Sequence, residues 1–178
     1  RHRIAYHTVS GYRRFYRALQ EEGFQVEAAT SQAFDRATLD RHDVFFVGEQ
    51  TYHARFMTEK EQRDLIRWVA DGGALFAVVE HTNAHYMTDV FNKLFEGLPV
   101  KARMDSIADL GQPGPISPTW IDLPKAADHP VTRGVEEYRF YNGCSLDTDK
   151  GVLFSAESSW SDRWDEKDAP IHNGNNKY

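Results

Sequence analysis

Apolar residues along the chain alternate between a short-run pattern and a helical spacing, and the order of the two predicts strands interleaved with helices. A β-like run at Arg3–Tyr6 leads through a Thr-Val-Ser-Gly turn to Tyr12, Phe15, Tyr16 and Leu19, which recur at helical spacing. Gly23 stands where a glycine closes a helix, and Phe24–Ala28 then alternates as a strand. After a polar, weakly helical stretch from Phe34 to Asp40, Val44–Val47 is a continuous apolar run between a charge and a glycine, as suits a parallel strand buried on both faces. The spacing next predicts a helix from Thr58 to Asp71. Thr58 and Glu61 form a capping box, Leu65, Ile66, Val69 and Ala70 form the inward stripe, and Gly72-Gly73 ends it. Ala74–Val79 is the strongest strand, with Leu75, Phe76, Val78 and Val79 all expected inside, and Met87, Val90, Phe91, Leu94 and Phe95 mark another helix that ends near Gly97. Strands alternating with helices of this length predict an α/β fold: a three-layer sandwich with a mainly parallel, flavodoxin-like sheet.

Beyond Val100 the pattern loosens. Gly111–Pro118 holds three prolines and two glycines and reads as a surface excursion, while short strands are expected at Thr119–Leu123, Tyr138–Tyr141 and Gly151–Ala156. From Ser158 to Tyr178 the chain is polar and reads as a loop or tail. A length of 178 residues fits one domain, and the start at Arg1 without methionine leads us to expect a fragment of a longer protein. Net charge of −6 supplies no basic field for phosphate backbones, so no nucleic-acid partner is expected. No apolar run approaches the ~20 residues a bilayer requires, so no membrane insertion is expected within this chain. Compartment, oligomeric state and ligand identity are not readable from these features.

Ligands of an open parallel sheet bind beyond the carboxyl ends of its strands. The residues there are polar: His7, Thr8 and Ser10 after the first strand, Glu49, Gln50, Thr51 and His53 after the third, and Glu80, His81, Thr82, Asn83 and His85 after the fourth. Two carboxylates beside several imidazoles suit acid-base chemistry, with Glu49 or Glu80 as general base, or a divalent metal held by His53, His81 and His85. His81 and His85, four apart, share a face if that segment is helical. Each has a structural alternative: Thr82 or Asn83 as a helix cap, Glu80 as a dipole partner. Asp105 reads as a loop aspartate, and Cys144, amid strand-like sequence, as a small buried hydrophobe. The phosphate-binding glycine motifs of dinucleotide and nucleoside-triphosphate sites are missing, as is the Gly-x-Ser-x-Gly elbow of serine hydrolases.

The apolar strand, capped helix, Asp71-Gly72-Gly73-Ala74-Leu75-Phe76 and polar elbow resemble the class I glutamine amidotransferase-like superfamily. The closest flavours are trehalose-utilisation-protein-like (ThuA-like) domains and the amidotransferase-like domains of gliding-motility and intraflagellar-transport proteins. Asp128–Val135 is similar to a His-Pro-Ile/Val-Thr-x-Gly turn common in these domains, and Glu80-His81-Thr82-Asn83 resembles an elbow of some bacterial members. The superfamily's amidases carry a cysteine nucleophile at this elbow, and this chain has none there, so glutamine hydrolysis by that route is not available. The resemblance implies a non-amidase binding or scaffolding domain that takes a small polar, saccharide-like ligand or a partner protein at the strand-end crevice, with His7, Gln50 and Asn83 as ligand contacts. The alternative is a metal-dependent or acid-base hydrolase built on the Glu/His cluster, for which a divalent metal is the cofactor in question. Whether the chain is an enzyme stays open between these two. If one crevice exists, Glu49 and Glu80 should lie close enough to perturb each other's titration.

Overall fold

The computed structural model describes residues 12–27, 33–48, 57–83, 86–109, 120–123, 128–136, 138–141, 143–148, 150, 159–164 and 170–172. Contacts divide the chain into two compact units, Arg1–Glu49 with His53–Val78 and Gln50–Tyr52 with Val79–Tyr178.

In the first unit, helix α1 spans Arg13–Glu21, and Tyr12, Phe15, Tyr16 and Leu19 form its half-buried side, as the spacing predicts. Gly23 adopts a positive φ of 89°, which lets Gly23 N–H reach Gln20 O at 3.0 Å and Phe24 N–H reach Leu19 O at 2.9 Å, a Schellman closure. The expected strand after it does not form over Phe24–Glu27, where Phe24 and Gln25 are exposed and no ladder exists among the described residues. The expected strand at Arg3–Tyr6, and Ala28, lie outside those residues. A short helix α2, Arg36–Leu39, is capped by Asp35, whose Oδ1 accepts from Thr38 N–H at 2.9 Å and buries Leu39.

Strands β1 (Val44–Val47) and β2 (Ala74–Ala77) pair in parallel with Val44 opposite Ala74. Helix α3, Glu59–Ala70, is the crossover that a parallel pair requires. Its capping box is complete: Thr58 Oγ1 accepts from Glu61 N–H, and Glu61 Oε2 accepts from Thr58 N–H at 2.8 Å. Glu61 also accepts Phe34 N–H at 3.1 Å, so this carboxylate is buried and ties the preceding loop to the helix start. The buried stripe is Glu61, Leu65 and Trp68, with Ile66 and Val69 half-buried and Ala70 exposed. The expected stripe is therefore rotated, because the inward-turned Glu61 and the large Trp68 set the face. Burial of Leu65 and Trp68 contributes on the order of 1.5–3 kcal/mol each.

β2 is not the fully enclosed strand that its composition predicts. Phe76 is 47% exposed, and Leu75, Val78 and Val79 are half-buried. Phe76 instead meets other rings edge-on, with centroids 5.8 Å from Phe15 and 5.2 Å from Phe46. Tyr12 adds to this aromatic layer against Phe46, while Phe34 packs on Phe45 at the opposite face of the sheet.

The second unit begins after Val78 and holds helix α4 (Met87–Leu94) with strands β3 (Lys101–Ala102), β4 (Asp105–Asp109), β5 (Trp120–Leu123), β6 (Tyr138–Tyr141), β7 (Leu146–Asp147), β8 (Ser159–Trp164) and β9 (Pro170–His172). All of their pairings are antiparallel: β3 with β7, β5 with β6, and β4-β8-β9 as a three-stranded sheet. The stretch from 158 to 178, read from its polarity as loop, thus contains two strands. Ser-Trp-Ser-Asp-Arg-Trp is mostly polar and does not alternate strictly, and its partner lies some fifty residues earlier in β4, beyond the reach of local pattern. Met87, Phe91, Leu94 and Phe95 bury the inner side of α4, and Asn92 clamps β3 by donating to Ala102 O at 2.9 Å while accepting from Ala102 N–H at 2.8 Å. The described residues therefore make a mixed α/β chain with a small parallel sheet of two strands. Gly111–Pro118 and Gly151–Ala156 fall outside them.

Candidate functional site

Of the residues singled out in the sequence, Glu80, His81 and Asn83 are described; His7, Glu49, Gln50, His53 and His85 lie outside the described residues, as does the shared Glu49–Glu80 pocket. A face shared by His81 and His85 is conditional on a helical segment, and His85 lies outside the described residues. Thr82 and Asn83 have φ of 52° and 64°, Tyr86 has 62°, and α4 begins only at Met87. Glu80–Asn83 is thus a tight elbow and not a helical turn.

A β-branched residue at positive φ is strained by on the order of 1–3 kcal/mol and persists only where its surroundings over-determine it. Here Thr82 N–H donates to Asp105 O at 2.8 Å. Asp105 is itself fixed: it is 1% exposed, and its carboxylate accepts from Ser145 N–H at 2.8 Å and Ser145 Oγ at 2.5 Å. Ile107 N–H donates to Gly143 O at 3.0 Å, which holds the same two segments in register. The loop aspartate of the sequence reading is thus a buried strand residue that props the elbow. Nothing local signals this, because its partner stands 40 residues away.

Within the elbow, His81 N–H donates to Glu80 Oε1 at 3.1 Å, Thr82 Oγ1 and His81 Nδ1 are 2.8 Å apart, and His81 Nε2 stands 3.7 Å from Glu80 Oε1. The tautomer of His81 decides which member of the Thr82 pair donates. Glu80 and His81 remain 22% and 28% exposed at their side chains, so both are open to a solute. Asn83 is spent on structure: its Oδ1 accepts Asp89 N–H at 3.1 Å and its Nδ2 donates to Asp89 Oδ2 at 2.8 Å, which fastens the elbow to the first turn of α4. Asn83 thus anchors the start of α4, whose N-cap position is Tyr86.

Cys144 is 7% exposed, as a small hydrophobe would be. Burial pushes its thiol up to about 12, helped by the Asp105 and Glu80 carboxylates, so it carries no thiolate near neutrality. Among the described residues no three His, Cys, Asp or Glu side chains converge on one point. No helix of the described residues is long and apolar enough to cross a membrane. In the first unit an open cleft of about 390 Å³ lies beside Arg36, His42, Trp68 and Asp71. Its charges are largely turned on one another: Arg36 pairs with Asp40 at 2.7 Å and with Asp71 at 2.5 Å, and His42 Nδ1–H donates to Thr38 O at 2.9 Å.

Comparison with known proteins adds three findings. No curated protein sequence matches the chain. The solved structure described as the mmIFT52 N-terminal domain is similar with a TM-score of 0.64 at 12% identity, over 81% of this chain and 74% of that one, a likeness of fold alone. Finally, residues 8–175 match the family model described as a domain of unknown function, DUF4350. With nearly its whole length matched, the chain belongs to the DUF4350 family.

Proposed function

We propose that this chain is a non-amidase binding or scaffolding domain on an amidotransferase-like, three-layer frame, and that it recognises a small polar, saccharide-like ligand or a partner protein through the loops at its strand ends. One observation carries the reading: the elbow after β2 presents Glu80-His81-Thr82 and no thiol, while the one cysteine of the chain is buried and held protonated. An amidase of this frame needs a thiolate at the elbow, and none can form there. What the elbow offers is a rigid, half-exposed carboxylate and imidazole, groups that suit hydrogen-bonded recognition of hydroxyls or backbone amides. The fold likeness to the mmIFT52 N-terminal domain is compatible with such a role but transfers no partner.

Ammonia release from glutamine tests the non-amidase half, with no release above buffer expected. A thermal-denaturation screen against neutral saccharides tests the binding half, since a ligand that binds only the folded state raises the midpoint. Release of ammonia abolished by Cys144→Ala would overturn the first. The second fails if no saccharide shifts the midpoint and a photo-crosslinker placed at position 81 captures no protein from the native source.

A further inference from the structure

We propose that Glu80 and His81 form a two-donor site for a divalent transition-metal cation of the zinc type, with Thr82 as the outer partner that orients the imidazole. This goes beyond the binding reading above and does not depend on it.

The geometry points to a cation between the two side chains. Glu80 Oε1 and His81 Nε2 are 3.7 Å apart. With ordinary zinc–nitrogen and zinc–oxygen distances of about 2.1 Å, a cation touching both would subtend about 125° between them, and an approach of only ~0.3 Å closes this to the tetrahedral angle. Both groups are held by hydrogen bonds within the elbow. His81 N–H holds the Glu80 carboxylate at 3.1 Å and leaves it further lone pairs. Thr82 Oγ1 stands 2.8 Å from His81 Nδ1. When Nδ1–H donates to that hydroxyl, the tautomer is fixed with the Nε2 lone pair free on the Glu80 side, the arrangement that outer-shell partners impose on ligating imidazoles. Thr82 reaches this position through its positive φ of 52°, and the backbone is kept there by Asp105 O. The strain thus places the hydroxyl on the imidazole.

The donor set also selects the class of cation. An imidazole nitrogen with a single carboxylate favours zinc, cobalt, nickel or copper over magnesium and calcium, which prefer all-oxygen shells. Partial exposure of both side chains leaves the remaining positions to water or to donor atoms of a bound solute.

The competing occupant is a proton, which would make the same two groups a plain ion pair. The two are separated by titrating zinc chloride into the metal-stripped full chain, purified without a histidine tag, by calorimetry, with cobalt(II) absorption as a second readout. Expected is one equivalent of zinc and a cobalt d–d spectrum. Glu80→Gln and His81→Gln should each weaken zinc by roughly tenfold or more, and Thr82→Val by roughly tenfold through loss of the orienting hydroxyl. His129→Gln, at an imidazole elsewhere in the same unit, should leave the affinity unchanged. Glu80→Gln keeps side-chain size and the acceptor for His81 N–H, so it decides the matter if His81→Gln fails to fold. Absence of saturable zinc binding, or full affinity in Glu80→Gln, overturns the proposal; full affinity in Thr82→Val overturns the role of Thr82.

Discussion

Thr88 shows how much a single buried hydroxyl matters at the residue scale. It is fully buried in the first turn of α4, and its Oγ1 has no hydrogen-bond partner among the described residues. A desolvated, unpaired hydroxyl opposes folding, and an isosteric apolar group removes the cost without opening a cavity. Thr88→Val is therefore expected to raise stability by about 1 kcal/mol in urea denaturation; a loss of stability would show that the hydroxyl is paired in solution. Cys144 gives a pH signature at the same scale. Its thiol lies at about 12 in the folded chain against an ordinary 9.0, so between those values the unfolded chain releases the proton first and stability falls as pH rises. The slope approaches about 1.4 kcal/mol per pH unit in that window and vanishes below it. Denaturation midpoints of the native chain and Cys144→Ala, compared from pH 8 to 11, should diverge only above pH 9.

The elements divide by how local their causes are. α3 was legible to the residue at its start, because Thr58 and Glu61 satisfy each other's backbone donors within one turn, and legible at its end, because Gly72 and Gly73 follow directly. Gly72 takes φ of 108°, and a Cβ on Gly73 would stand 2.2 Å from the buried Trp68 ring. Gly73→Ala is accordingly expected to cost on the order of 1–3 kcal/mol by displacing the indole, seen as a lower melting midpoint with altered tryptophan fluorescence. Unchanged fluorescence and midpoint would contradict that packing. β8 was not legible, since its polar composition hid a strand whose partner, β4, is distant in sequence. Phe76 misled in the opposite direction: an apolar run implied enclosure, but the ring stays nearly half exposed while it meets Phe15 and Phe46. At the elbow, the residue types Glu80, His81, Thr82 and Asn83 and their place after β2 are legible in the chain. Their division of labour depends on positive φ angles and on the Asp105–Ser145 prop, neither of which has a local signature.

At the scale of the whole chain, a parallel β1-α3-β2 unit and a second unit of antiparallel strands around α4 together carry a DUF4350 sequence on a fold like that of the mmIFT52 N-terminal domain. The central claim is that the elbow after β2 serves recognition. The most direct measurement is a chemical-shift titration of the ¹⁵N-labelled chain with those saccharides that raise its melting midpoint. The account predicts saturable shifts at the amides of Glu80, His81 and Thr82, reduced in Glu80→Gln, with the Arg36–Asp71 cleft unmoved. Saturable shifts confined to that cleft, or left at full strength by Glu80→Gln, would contradict it.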